Sequence, residues 1–126
     1  MLNEEPGIAV DSYGNVVAAD WDANAPYLIA GRTGTFYGRS VRQGHIYVIA
    51  GTGSVGAPGN GEPAIAAGIE PQGVAVDRSG NLIVTDIAND LVRVIANSSA
   101  RFYGQPMTAG HIYTVARRRS RPSGLR

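Results

Sequence analysis

The side chains of this chain that could do chemistry come in pairs, each pair 66 residues apart: Asp11 with Asp77, Asp20 with Asp86, His45 with His111, and Phe36-Tyr37 with Phe102-Tyr103. Recurrent carboxylates suit a hard cation, which wants about 6–8 oxygen ligands at close range. The chain has no D-x-D-x-D-G loop. Each Asp instead ends an apolar run and opens a polar stretch, where a carboxylate caps backbone N–H groups of a tight turn. Turn capping is the expected role, with a shared calcium site at Asp20 and Asp86 as the alternative. The two His could serve acid–base chemistry or ligate metal. Neither has an i, i+4 partner or an H-E-x-x-H context, so a structural place at a strand start is expected. The aromatic pairs could present a platform to sugars or partners, or pin each loop onto its own unit. Trp21 sits beside Asp20, where the second copy has Ile87, and is the best candidate for an exposed contact. The candidate ligand-contact residues are therefore Trp21, Phe36, Tyr37, Phe102 and Tyr103. No residue is assigned to catalysis, to a cofactor or to a metal. The run Gly51-Thr52-Gly53-Ser54-Val55-Gly56 lacks the G-x-G-x-x-G spacing and following helix of a dinucleotide loop.

The elements that must carry these residues repeat as well. Gly7-Ile8-Ala9-Val10-Asp11 with Gly14-Asn15 returns as Gly73-Val74-Ala75-Val76-Asp77 with Gly80-Asn81, and Gly44-His45-Ile46-Tyr47 returns as Gly110-His111-Ile112-Tyr113. A fixed period marks one supersecondary unit that buries its apolar faces against its neighbours. Short runs rich in Val, Ile and Tyr, bounded by Gly, Asn, Asp or Pro, read as strands. They lie at 7–10, 16–19, 27–30 and 46–50, then at 74–76, 82–85, 91–95 and 112–115. Asp11 to Asn15 and Asp77 to Asn81 read as hairpin turns. Residues 31–44 and 97–110 read as long connections, and the Gly-rich stretch from Gly51 to Pro63 as a surface segment. A turn of helix is expected near Pro63 to Ala67. The units are a first blade over 1–50, a linker over 51–72, a second blade over 73–116 and a tail over 117–126. Four strands per unit, joined as successive hairpins, predict an all-β fold of two antiparallel propeller blades.

Composition sets bounds. Of 126 residues, 44% are hydrophobic and 17 are Gly, with few large aromatics, which suits tight turns and small-residue packing. All eleven basic residues are Arg, and five of them fall in the last ten positions. The remaining six face ten acids, so residues 1–116 carry a net charge of −4. Nucleic-acid binding depends on concentrated positive charge, so no nucleic-acid partner is expected. Without Cys, disulfides and thiolate metal sites are excluded. No apolar run approaches the ~20 residues of a membrane span, and the acidic first six residues lack the apolar region of a signal peptide.

The second copy resembles a known family. Pro71-Gln72-Gly73-Val74-Ala75-Val76-Asp77, Gly80-Asn81-Leu82-Ile83-Val84-Thr85-Asp86, Asn89 and Val92-Arg93-Val94 are similar to the NHL repeat in its bacterial type. Ala50-Gly51-Thr52-Gly53 and Gly59-Asn60-Gly61-Glu62-Pro63-Ala64 resemble that family's linker. The first copy departs from it: Tyr27 takes the place of Arg93, and Pro26 precedes it, so Pro26 should lie at a strand start or on an unpaired side. The resemblance implies a propeller of about six blades, which would need roughly 400 residues at this repeat length. Two blades form an incomplete NHL-type β-propeller whose open flanks invite self-association. After Ala116 the expected Gly-Thr-Gly gives way to Arg117-Arg118-Arg119. The chain is therefore expected to be a fragment with a tail read out of frame, and another frame of the downstream DNA should encode a further linker and blade. The function implied is a non-enzymatic binding or scaffold module for a protein or glycan ligand, without cofactor. A fragment of a propeller lyase or lactonase-like hydrolase and an RNA-binding propeller are the alternatives. The compartment stays open, with an extracellular or cell-surface parent as the expectation.

Overall fold

A computed structural model describes residues 7–20, 24–52, 59–87 and 89–117. Trp21 and residues 118–126 lie outside the described residues. The chain forms twelve strands among these residues. In the first repeat they are β1 (Ile8–Val10), β2 (Val16–Asp20), β3 (Ala25–Ile29), β4 (Gly34–Phe36), β5 (Arg39–Val41) and β6 (Ile46–Val48). In the second they are β7 (Pro71–Val76), β8 (Leu82–Asp86), β9 (Leu91–Ile95), β10 (Ala100–Phe102), β11 (Gln105–Met107) and β12 (Ile112–Arg117). Two antiparallel sheets of four strands result, ordered β1-β2-β3-β6 and β7-β8-β9-β12. They are propeller-like blades that do not close into a ring. No helix among the described residues is long and apolar enough to cross a membrane.

The eight strands expected from alternation and β-branching are the eight that build the blades. Pro26 is the second residue of β3, and β6 pairs with β3 only from Tyr27 onward, so its missing N–H breaks no ladder bond. One expectation is corrected. The long connections 31–44 and 97–110 each contain a hairpin, β4–β5 and β10–β11. Their turns place Tyr37 and Gly38 at φ 54° and 73°, and Tyr103 and Gly104 at φ 52° and 76°. Positive φ at both central residues matches the right-handed twist of a two-residue hairpin. A Tyr at such a position is rare, and three-residue strands give almost no alternation, so the sequence hid both hairpins. The turn of helix expected near Pro63 to Ala67 is found in the linker. Its second half forms one 3-10 turn, Ala64–Ala66, and buries Ala64, Ala67 and Ile69 in the core.

That core lies between the blades. Val17 and Leu28 of the first blade, Ile69 of the linker, and Leu82, Val84, Ile95 and Ile112 of the second form one buried cluster. Each such side chain contributes about 1.5–3 kcal/mol on burial, so stacking of the two sheets dominates the stability. β1 and β2 pack on β7 at very short range. A Cβ on Gly7 would sit 3.0 Å from the Gln72 carbonyl oxygen and 3.1 Å from the Gly73 Cα. A smaller cluster of Val94, Ala96, Met107 and Tyr113 lies on the far side of the second blade, under its own hairpin.

The linker is held by charge. Arg93 on β9 is fully buried; its Nη2 donates to the Gly59 carbonyl and its Nη1 lies 3.6 Å from Asp86 Oδ2. Asp86 Oδ1 accepts from the Glu70 N–H at 3.1 Å. Asn89 Nδ2 donates to Asp86 Oδ2 at 2.8 Å and to the Gly68 carbonyl at 3.3 Å. Burial pulls the Arg93 guanidinium below its ordinary pKa, and the Asp86 carboxylate opposes that pull. Removing one partner of a buried pair strands the other charge. Arg93→Met should therefore cost about 3–5 kcal/mol of unfolding free energy, measured by denaturant titration followed by circular dichroism.

Candidate functional site

The recurrent acids and amides of the hairpin turns are spent on the backbone. Asp11 Oδ1 accepts from the N–H groups of Tyr13 and Asn15, both at 2.9 Å. Asp77 Oδ1 accepts from Ser79 at 2.9 Å and Asn81 at 2.8 Å. Asn15 and Asn81 return the favour from their side chains, donating to Oδ2 of the same aspartates. Asn15 Oδ1 then accepts from the Gly31 N–H at 2.7 Å and Asn81 Oδ1 from the Asn97 N–H at 2.9 Å. Each turn is thereby tied to the end of the third strand of its blade. The expected turn-capping role of Asp11 and Asp77 is the one the geometry gives. Asp86 serves the Arg93 cluster, and Asp20 is the last residue of β2.

The histidines stand just before the fourth strands, as expected. His45 is exposed and stacks loosely on Tyr47, with ring centroids 6.4 Å apart. The His111 ring Nδ1 lies 2.9 Å from the Gly61 carbonyl. Their main-chain carbonyls accept from Ala30 and Ala96. No three His, Cys, Asp or Glu among the described residues converge as a metal cluster.

The aromatic pairs do not behave alike. Phe36 and Tyr37 are 6% and 3% exposed and belong to the inter-blade core. The Tyr37 N–H donates to Asn97 Oδ1 of the second blade at 2.7 Å, and Arg39 Nη1 donates to the Val48 carbonyl at 3.3 Å, so the β4–β5 hairpin is pinned onto the neighbouring blade as well as onto its own. Phe102 is half-buried against the smaller cluster. Tyr103 is exposed, and its hydroxyl donates to Asp77 Oδ2 at 2.7 Å. The contact set is thus reduced to Tyr103 among the described members.

The same end of the molecule holds two residues that the sequence reading passed over. Tyr13, on the first hairpin turn, is 39% exposed. Its ring packs on Phe36 at 5.2 Å between centroids, and the Arg32 guanidinium lies 5.4 Å from its centroid. Such a cation–π pair favours flat, partly apolar ligands with acceptor groups. The counterparts of Tyr13 and Arg32 in the second repeat are Ser79 and Ser98. Comparing the repeats for differences, not for identities, would have found them. Asp11, Asp77 and Tyr13 all raise the pKa of the buried Tyr37 phenol, after burial itself, so Tyr13, Tyr37, Asp11, Asp77 and Tyr103 share one end of the two blades.

Three cavities open on the described residues. One of about 280 Å³ lies between the blades beside Tyr37, Arg39, Ile49 and His111. A second of about 330 Å³ is lined by Asn60, Asn89, Leu91 and Arg117. A third, of about 460 Å³, opens on the free side of the second blade. The first falls just below the ~300–1,000 Å³ range of ordinary ligand pockets and the second at its lower end. Compared with known proteins, the chain matches no family model and no curated protein.

The Tyr103–Asp77 bond is directly measurable. Chiefly because its hydroxyl donates to Asp77, Tyr103 is pushed up from 10.0 to about 12. The proton is held more tightly in the folded chain than in the unfolded one, so the bond's contribution is complete below pH 10.0 and is lost as pH rises through about 12. Near-ultraviolet titration should show a tyrosine ionising at about 12. Tyr103→Phe should delete that step, and Asp77→Asn should move it down toward the ordinary value.

Proposed function

We propose that the chain is a pair of NHL-type propeller blades acting as a non-enzymatic binding module, which presents its turn residues to a protein or glycan ligand. The observation that carries this reading is the division of labour between the repeats. Residues shared by both copies, such as Asp11 and Asp77 or Asn15 and Asn81, are consumed by internal hydrogen bonds. Two residues that differ, Tyr13 and Arg32 against Ser79 and Ser98, lie exposed at the turns. A scaffold that keeps its frame and varies its loops is how one fold serves many ligands. The NHL resemblance adds to this, since its Asp, Asn and Arg positions coincide with Asp86, Asn89 and Arg93, the residues that fasten the linker.

Tyr13 and Arg32 are the residues placed to make the contact, with Tyr103 as a neighbour at the same end. The aromatic face offers contact area at low entropic cost, and the guanidinium offers donors in a fixed fork. The immobilised chain, screened against a glycan array and a peptide library, should retain members of one class. Tyr13→Ala and Arg32→Ala should each weaken that binding by about 5- to 30-fold, the equivalent of ~1–2 kcal/mol, with the circular dichroism spectrum unchanged. Ser79→Ala should leave it intact. Full retention of the ligand by the Tyr13→Ala/Arg32→Ala double variant would refute the assignment.

A further inference from the structure

The first blade has an uncovered face made almost wholly of hydrocarbon. Ile8 and Val10 on β1, and Ile46 and Val48 on β6, are 64%, 63%, 66% and 38% exposed. The register places Val16, Ala18, Tyr27 and Ile29 between them on the same side of the sheet. The charged residue in the same alternation is Asp20, at the end of β2.

The second repeat shows what such a face is for. The residues 66 positions on from Val16, Ala18, Ile29 and Ile46 are Leu82, Val84, Ile95 and Ile112, and all four are fully buried. They are covered by the opposite face of the first blade, which brings Val17, Leu28, Ala30 and Phe36 into the same cluster. The counterparts of those covering residues are Ile83, Val94, Ala96 and Phe102 on the outer side of the second blade, where Val94 and Ala96 are buried under the β10–β11 hairpin and Ile83 and Phe102 are half-buried. The free faces at the two ends of the chain are therefore the two halves of the interface already built at its centre.

Two further observations agree. At the internal interface the hairpin tip of the first blade meets the second, and a Cβ on Gly38 would sit 2.9 Å from the Gly110 Cα. The counterparts of these glycines, Gly104 and Gly44, have nothing within 4 Å. The cavity of about 460 Å³ on the second blade is lined by Thr85, Leu91 and Ala116. Their counterparts Ala19, Ala25 and Ala50 are buried.

We propose that the free face of the first blade docks on the free face of the second blade of another copy of this chain, head to tail, repeating the internal blade-to-blade contact. Such a contact is heterologous and closes into a ring when its rotation does. Propellers close at about four to eight blades, which corresponds to about two to four copies. The junction is weaker than its internal template. Tyr27 and Gly31 stand where Arg93 and Asn97 stand in the second repeat, so the bonds to the linker and to the incoming hairpin's N–H have no equivalent. Assembly is accordingly concentration-dependent. This inference goes beyond the ligand reading and does not use Tyr13 or Arg32.

Sedimentation velocity over a range of concentrations should show a discrete oligomer of two to four copies. Ile46→Glu disables the first-blade face, and Ala75→Glu, at an exposed position on β7, disables the second. Each variant alone should be a monomer with a native circular dichroism spectrum. Mixed in equal amounts, they should form a one-to-one dimer, because one intact face of each kind remains. Ile8→Glu replaces Ile46→Glu if the latter loses its fold. A wild-type monomer at every concentration would overturn the proposal. So would an Ala75→Glu variant that still dimerises alone, since that marks a symmetric contact between first blades. Both outcomes leave ligand binding by the Tyr13 turn untouched.

Discussion

Burial of the Arg93 charge is the constraint on which the arrangement of the second blade depends. A guanidinium without solvent must find acceptors close by; the Gly59 carbonyl and the Asp86 carboxylate serve, and the Asn89 amide donates to Asp86 in turn. Three hydrogen bonds of this cluster reach the linker, one at Gly59 and two further along at Gly68 and Glu70. The chain between those points is thereby given one path. Along it Ala64, Ala67 and Ile69 are delivered into the space between the sheets. A polar cluster of this kind adds little net stability over an apolar substitute, but it fixes which segment fills the core.

The blades themselves depend on a different balance. Each is a small four-stranded sheet, and a sheet of that size needs a second layer to bury one face. The first blade meets that need with one side only. Its inner face is dry, and Ile8, Val10 and Ile46 on its outer face are wet. The second blade has both sides partly served, one by the first blade and linker, the other by the β10–β11 hairpin through Phe102 and Met107. In the first blade the same hairpin keeps its bonds to its own sheet and also serves the neighbour, where the Asn97 side chain receives the Tyr37 N–H. The pairing of Tyr37 with Asn97 and of Gly38 with Gly110 is thus part of what sets the spacing of the two blades.

The legible part of this fold was the part governed by period and by turn chemistry. Alternation in Val74 to Val76 and in Leu82 to Asp86, the Asp-to-Asn turns and the constant offset gave eight strands and their order. What stayed hidden was decided by tertiary contact. A Tyr-Gly turn carries none of the usual Asn-Gly signal, yet Tyr37 and Tyr103 both hold a positive φ, Tyr37 with its ring buried and its N–H bonded across the interface, Tyr103 with its hydroxyl bonded to Asp77. The same burial removes Phe36 and Tyr37 from the surface where their aromatic type suggested they belong. Tyr13 and Arg32 were invisible for the opposite reason. They break the repeat, and a search for self-similarity discards what differs.

That distinction bears on how the two ends of the molecule are used. Positions that bury a polar bond at the internal interface, Arg93 and Asn97, are replaced on the first blade by Tyr27 and Gly31, while the apolar positions around them keep their character. The hydrophobic part of a blade-to-blade contact is non-directional and scales with area, so it survives at the outer face. The directional part is gone. A contact between copies would therefore be held by apolar area and aligned by shape alone, with Gly104 and Gly44 leaving room for close approach. Weak, shape-guided closure of this kind separates assembly from folding: the Arg93 cluster sets the structure within one chain, and the uncovered sheet faces set how many chains stand together.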